Sequence, residues 1–283
     1  MKVQKSYLDS GSTLYLVATP IGNFDDMTFR SIETLKSVDY IYCEDTRITK
    51  VLLSHFDIKT PLRNYHIFNE NLVCDDIIEL LKNGANIALV SDAGLPCISD
   101  PGYLLSSKAI EEGIKVVSLP GASASLTCLI ASGLPCDKFY FNGFLNSKQS
   151  QRRKQLEELK DRKESIILYE APHRILETLN DIYEVLGNRR IVLGRELTKR
   201  YEEYVRGNVL DFINEGITVK GEMVLILEGS SQDSNISDLN NLSIREHFNV
   251  YIEKGLSEKD AIKQVANDRN VAKNEIYKEI KVK

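Results

Sequence analysis

Leu14-Tyr15-Leu16-Val17-Ala18-Thr19-Pro20-Ile21-Gly22-Asn23 is an uninterrupted apolar run that ends in a turn built on Pro and Gly. An apolar run without alternation fits a strand buried on both faces, and such strands belong to parallel sheets whose crossovers are helical. The residues that follow supply the crossover. Phe29, Ile32, Leu35 and Val38 recur at helical spacing, and Tyr40 to Cys43 returns to strand. The alternation then continues with a helix over 69–83 closed by Gly84 and a strand over 86–90. Asp100-Pro101 reads as the next helix start, Asp as cap and Pro at the first position, with Gly113 as its end. A strand over 115–119 and a helix of small residues from Pro120-Gly121 to Gly133 complete the cycle.

A second cycle begins at Phe139, with strands over 139–143, 165–170, 190–195 and 221–228 and helices near 149–161 and 172–186. The expected class is therefore α/β, two α/β domains over 13–120 and 121–229, each with a largely parallel sheet. Residues 230–241, with Ile236 and Leu239 as their apolar members, read as a flexible linker. Beyond it, 242–283 reads as a helical tail: Ser243 with Glu246 and Ser257 with Asp260 have capping-box spacing, and 256–278 has the pattern of a helix-turn-helix. Residues 243–283 carry nine Lys/Arg against seven Asp/Glu in a chain of net charge −5, which suits a polyanion partner. A helical cap that only packs on itself fits the same residues.

Composition narrows the class. At 283 residues, 42% hydrophobic and 27% charged, the chain reads as an ordinary globular protein. Its longest apolar runs fall far short of the roughly 20 residues that span a bilayer. The polar stretch 1–12 gives no secretory signal, so a cytoplasmic location is expected. Five scattered cysteines (43, 74, 97, 128, 136) suit reduced core residues, and four scattered histidines without CxxC or HExxH predict no metal. There is no GxxxxGK[ST], no GxGxxG and no GxSxG, which removes P-loop enzymes, common dehydrogenases and serine hydrolases.

Three turns at predicted strand ends stand out: 18–23, 91–96 with 99–102, and 119–124. Each joins Gly or Pro to groups that hydrogen-bond a ligand, among them Thr19, Asn23, Asp92 and Ser123. Open α/β sheets bind ligands at this edge.

These turns, together with Glu44-Asp-Thr-Arg47, Asn69-Glu70, Tyr169-Glu-Ala-Pro-His-Arg174, Arg195-Glu-Leu-Thr-Lys199 and Lys220-Gly-Glu-Met-Val224, resemble the bacterial ribosomal RNA small subunit methyltransferase I family. That family belongs to the tetrapyrrole-methylase superfamily. The resemblance implies S-adenosylmethionine-dependent 2′-O-methylation of a cytidine in the decoding region of 16S rRNA, on the assembled small subunit. It also implies a homodimer, with the cofactor in a cleft between the two α/β domains. Carried over position by position, the cofactor contacts are Pro20, Ile21 and Gly22; Asp92, Ala93, Gly94 and Leu95; Ser123 and Ala124; and Tyr169, Gly194, Gly221, Glu222 and Met223. Ala18-Thr-Pro-Ile-Gly-Asn23 stands where tetrapyrrole-modifying relatives carry GxGxGD, which favours the RNA branch. Phe68 stands where the RNA branch commonly has a second histidine.

Transfer of a methyl group to a hydroxyl is an in-line displacement aided by a base. Glu44, Asp45 and Glu70 are the candidates. Asp45 and Arg47 equally suit an ion pair, Glu70 a helix-terminal charge, and Arg47 an RNA phosphate. Lys148, Arg152, Arg153 and Lys154 read as a phosphate patch or as a solvated face balanced by Glu157, Glu158 and Asp161. His173 and Arg174 suit a substrate loop or a helix start, and Tyr65, Phe68 and Phe144 suit base stacking or core. Two rival functions share these residues: methylation of a tetrapyrrole or a translation factor, and RNA binding without catalysis.

Overall fold

The computed structural model describes residues 3–6, 8, 11–230, 239–253, 255–269 and 271–281. Its first sheet has the order β3-β2-β4-β1-β5 and is parallel throughout. The strands are β1 (Thr13–Val17), β2 (Tyr40–Cys43), β3 (Leu62–Asn64), β4 (Ile87–Val90) and β5 (Lys115–Leu119). β1 lies between β4 and β5, with Leu14 beside Ile87 and Val116. Such a position removes both faces from water, which is why the opening run is apolar without alternation. Val17, Leu35, Ile41 and Leu53 pack on one face with α1 (Phe29–Ser37) and α2 (Thr46–His55). Leu14, Tyr42, Ile77 and Leu105 pack on the other with α3 (Glu70–Lys82) and α4 (Tyr103–Glu111).

The second sheet departs from the sequence expectation. Its order is β6-β7-β10-β8-β9, and only β6 (Phe139–Phe144) and β7 (Ser165–Glu170) run parallel. β10 (Met223–Leu227) is antiparallel to both β7 and β8 (Arg190–Arg195), and β9 (Glu203–Asn208) is antiparallel to β8. The short segment from β8 to β9 leaves no room for a crossover helix, so the chain doubles back and the parallel pattern breaks. One face is covered by α6 (Gln149–Leu159), α7 (Ile175–Leu186) and α8 (Val209–Glu215). The other packs against α5 (Ala124–Ser132) and against Ile21 from the first turn.

The α/β part, to Glu228 but for Asp161–Lys163, forms one compact unit, and Asp161–Lys163 with the tail from Gly229 form another. In the tail, α9 (Ile244–Glu253), α10 (Glu258–Asp268) and α11 (Lys273–Lys281) bury Phe248, Ile262, Val265 and Ile276. The capping box at Ser243 is reciprocal: Ser243 Oγ accepts the Glu246 amide at 3.2 Å and Glu246 Oε2 accepts the Ser243 amide at 2.9 Å. At Ser257 the hydroxyl caps the Asp260 amide and itself donates to Asp260 Oδ2. His247 is enclosed between Asp268 at 3.1 Å and Arg269 Nε at 3.2 Å, so it knits the tail together. Most of the expected linker, 231–238, lies outside the described residues. No described helix is long and apolar enough to cross a membrane, and no group of three His, Cys, Asp or Glu among the described residues is placed to hold a metal ion.

Candidate active site

The ends of β1, β2, β4 and β5 and the matching edge of the second sheet enclose a cavity of about 480 Å³, within the usual size of a small-ligand site. Two of its turns are clamped together: Thr19 N–H donates to Gly94 O at 2.9 Å and Gly94 N–H to Thr19 O at 3.0 Å. Thr19 Oγ1 donates to Ser91 O, and Ser91 Oγ to Gly94 O. Gly94 sits at φ +82°, a conformation that side chains resist, and Gly121 lies where a Cβ would be 2.4 Å from Ala18 Cβ. The loop that follows is bent through left-handed residues Cys97 and Ser99, then Gly102.

The cavity is acidic. Glu44, Asp92, Asp100, Glu170 and Glu222 line it, with no Lys, Arg or His among the lining residues. Asp92 Oδ1 accepts the Asp45 amide at 3.0 Å, joining the β4 turn to the start of α2. Burial, then Asp92 beside it, holds the Glu44 carboxyl above its ordinary pKa; burial also raises Asp92. Asp100 is pushed up to about 6, by burial first and then by Glu44 and Asp92. Glu170 accepts from Thr178 Oγ1 at 2.5 Å and from the Ala171 amide at 2.8 Å. Phe144 and Tyr169 meet edge to face at 5.5 Å on the opposite wall.

Of the residues named from sequence, Ile21, Glu44, Asp92, Ala93, Gly94, Leu95, Ser123, Ala124, Tyr169, Glu222 and Met223 meet here. Pro20, Gly22, Gly194 and Gly221 lie outside the lining. The three glycines answer to protein neighbours: a Cβ would strike Lys199 Cγ at Gly22, Cys128 Sγ at Gly194 and the Glu196 carboxylate at Gly221. Asp45 and Arg47 hold each other at 2.6 Å. Asp45 also accepts the Arg47 amide, and these bonds lower its pKa to about 2, a weak base. Glu70 accepts the Tyr65 hydroxyl at 3.4 Å outside the cavity, and Tyr65 itself is core.

The expected phosphate patch divides. Arg152, 1% exposed, donates from Nε to the buried Asp181 at 2.6 Å, so its charge is spent inside the protein. Arg153 pairs with Asp181 and Glu184, while Lys148 and Lys154 face solvent. Arg174 pairs with Glu170 and donates to Leu145 O; His173 is exposed. Asp100, read as a helix cap, caps nothing: α4 starts after Gly102, at φ +135°, and the carboxyl faces the cavity. Phe144, a stacking candidate from the sequence, and Glu170, at the end of β7, also line the wall; Ile98 and Leu197 are wall residues that periodicity does not reveal, and Ser99 was legible only as part of the Ser99-Asp-Pro-Gly102 turn.

The family described as Tetrapyrrole (Corrin/Porphyrin) Methylases matches residues 13–212. "Ribosomal RNA small subunit methyltransferase I" of Halalkalibacterium halodurans is 51% identical over 98% of both chains. The protein of that name from Bacillus subtilis is 52% identical over 93% of this chain and 92% of its own. The chain belongs to the ribosomal RNA small subunit methyltransferase I family. Solved structures agree on the fold: uroporphyrin-III-C-methyltransferase from Thermus thermophilus has a TM-score of 0.56 at 18% identity, covering 77% of this chain and 94% of its own. Diphthine synthase has a TM-score of 0.60 at 15% identity, covering 77% and 90%.

The methyl donor of the methyltransferase I family is S-adenosylmethionine, and the cavity fits it. That ligand carries a sulfonium and an ammonium beside one carboxylate; Glu170 pairs with Arg174 and Glu222 with Lys199, which leaves Glu44, Asp92 and Asp100 as the wall carboxylates suited to its positive charges. The φ +82° turn at Gly94 leaves its main chain open to close approach, and Ile21, Leu95, Leu197 and Met223 offer apolar wall to the rest.

Proposed function

We propose that this protein transfers a methyl group from S-adenosylmethionine to the 2′-hydroxyl of a cytidine in the decoding region of 16S rRNA, on the assembled small subunit in the cytoplasm, and works as a homodimer. The observation that carries the reading is the carboxylate-lined cavity in a chain matched end to end by relatives named for small-subunit rRNA. The ribose, the cytidine and the decoding region rest on the motif resemblance.

When bound, the cofactor supplies a methyl group on positively charged sulfur. Asp92 and the Gly94 turn would hold it, with Ile21 and Met223 against its apolar parts. The protein's own work is alignment and proton removal. Glu44 is the acceptor among the three sequence candidates, because it stands on the cavity wall and its raised pKa makes it a stronger base than Asp45. Phe68, 91% exposed in the turn between β3 and α3, offers a ring to an unpaired base.

The test incubates the protein with methyl-labelled cofactor and, separately, unmodified small subunits, naked 16S rRNA and a tetrapyrrole precursor. Label on a decoding-region cytidine ribose, dependent on the assembled subunit, is the expected result. Label on the macrocycle and none on RNA would overturn the reading; sedimentation of the full chain checks the dimer.

A further inference from the structure

The last helix of the tail sorts its side chains by charge. On one side of α11, Ile276 is fully buried and Ile280 packs beside it with Phe248, Ile262 and Val265, so that side completes the tail's own core. With about 100° of turn per residue, Lys273, Tyr277, Lys281, Asn274 and Lys278 fall within one arc of about 140°, and Glu275 and Glu279 lie together beyond it. The arc meets water: Lys273, Asn274 and Lys278 are exposed, and Tyr277 is 52% exposed.

Two features set this face apart from an ordinary solvated one. A helix that stabilises its own surface pairs opposite charges four residues apart. Here that spacing joins Glu275 to Glu279, Asn274 to Lys278, and Lys273 and Lys281 each to Tyr277, so no opposite charges meet. Lys273 also opens the helix, at the end whose dipole repels a cation. Both arrangements oppose helix stability, and both gather positive charge on the exposed side. Lys281 is answered by Glu258 at the start of α10, whereas no ion pair among the described residues holds Lys273 or Lys278. α10 and α11 are separated by residues 269–272, the order of a helix-turn-helix, whose second helix is the one presented to nucleic acid. Lysines suit phosphates, and the amide and phenol between them suit phosphate or ribose oxygens. The arc holds no aliphatic side chain of the kind a protein groove or a lipid surface would bury.

Resting on the ribosomal RNA substrate proposed above, we propose that this face of α11 is an RNA-docking surface, with Lys273 and Lys278 on backbone phosphates and Asn274 and Tyr277 between them. It belongs to the tail unit, adds affinity for the small subunit and takes no part in methyl transfer.

The test measures binding of the full-length protein to purified small subunits across a salt series, with Lys273→Gln and Lys278→Gln combined in one variant. Both side chains lie outside the tail's core, so the fold does not depend on them. Loss of two phosphate contacts should make the slope of log affinity against log salt shallower by about 1.4–1.8, and weaken binding about tenfold or more at about 0.15 M salt. Lys273→Arg with Lys278→Arg, which keeps the charges, should bind as wild type does. In the Gln variant kcat at saturating subunit should hold while KM rises. An unchanged salt slope in the Gln variant overturns the proposal. So does a loss confined to intact subunits, with deproteinised 16S rRNA bound equally by variant and wild type, which would put a protein on this face. Wild-type protein that binds subunits but labels no ribose would instead sink the methylation reading, leaving the salt slopes to decide the docking face on their own.

Discussion

Asp100→Asn is expected to make the cofactor-free protein more stable while weakening its hold on the cofactor. The carboxyl lines the cavity near Glu44 and Asp92, and burial followed by those two charges raises its pKa to about 6. A carboxyl whose folded pKa lies above its unfolded value takes up protons on folding between the two. Stability therefore falls as pH rises from about 4 to about 6, and the full penalty persists at pH 7. A shift of about two units corresponds to about 3 kcal/mol. The group opens onto an accessible cavity, so roughly half of that, about 1–2 kcal/mol, is the gain expected from the neutral amide. For a chain of this size the Tm should rise by about 2–8 °C at pH 7, shrinking toward zero near pH 4. Binding runs the other way. About nine-tenths of a group with pKa 6 is ionised at pH 7 and about one-tenth at pH 5, so a cation that needs the ionised form loses about tenfold in affinity across that interval. Thermal melts and calorimetric titrations with S-adenosylmethionine, on wild type and Asp100→Asn between pH 5 and 8, read both arms. A lower Tm for the variant at pH 7, or a wild-type Kd identical at pH 5 and 7, would refute the reasoning.

Asp181→Ala removes the 2.6 Å partner of the buried Arg152, leaving it Glu177 at 3.5 Å and the Ser147 carbonyl at 3.2 Å, and should cost about 3 kcal/mol by denaturant titration; a loss below about 1 kcal/mol would mean the pair is not what holds α6 to α7. Lys148→Glu with Lys154→Glu should reduce the slope of log affinity for small subunits against log salt by about 2. An unchanged slope would take α6 off the RNA-facing surface. Phe68→Ala should raise KM for the subunit about tenfold or more with kcat little changed, since stacking of one base contributes about 1–3 kcal/mol; an unaltered KM would leave that exposed ring without a substrate role.

Four strands of the first sheet, β1, β2, β4 and β5, and the three turns were legible because burial on both faces leaves an apolar run, and a Pro or Gly marks where it stops. β3 and β9 escaped that signal. Leu62-Arg-Asn and Glu203-Tyr-Val-Arg-Gly-Asn are edge strands, half-open to water and free to be polar, and once β9 is missed the antiparallel end of the second sheet is missed too. Asp100 misled because Asp-Pro opens helices in general. Here Gly102 redirects the chain first, so the side chain left over points at the cavity instead of at an amide. Arg152 misled for another reason. A run of basic residues says nothing about which of them faces inward, and the partner that draws Arg152 inside is on the next helix, 29 residues away. Glu44 was legible as a candidate from its place after a strand, but the feature that separates it from Asp45, a neighbouring arginine that captures one and not the other, is geometric.

The reciprocal hydrogen bonds between Thr19 and Gly94 have a thermodynamic corollary for turnover. Ordering a free loop costs about 1–2 kcal/mol for each residue whose backbone is fixed. Two turns already fastened to each other incur that cost once, during folding, and a ligand arriving between them need not incur it again. Each cycle of binding and release can thus proceed against a rigid floor, and affinity reports contacts made by the ligand rather than disorder removed from the protein.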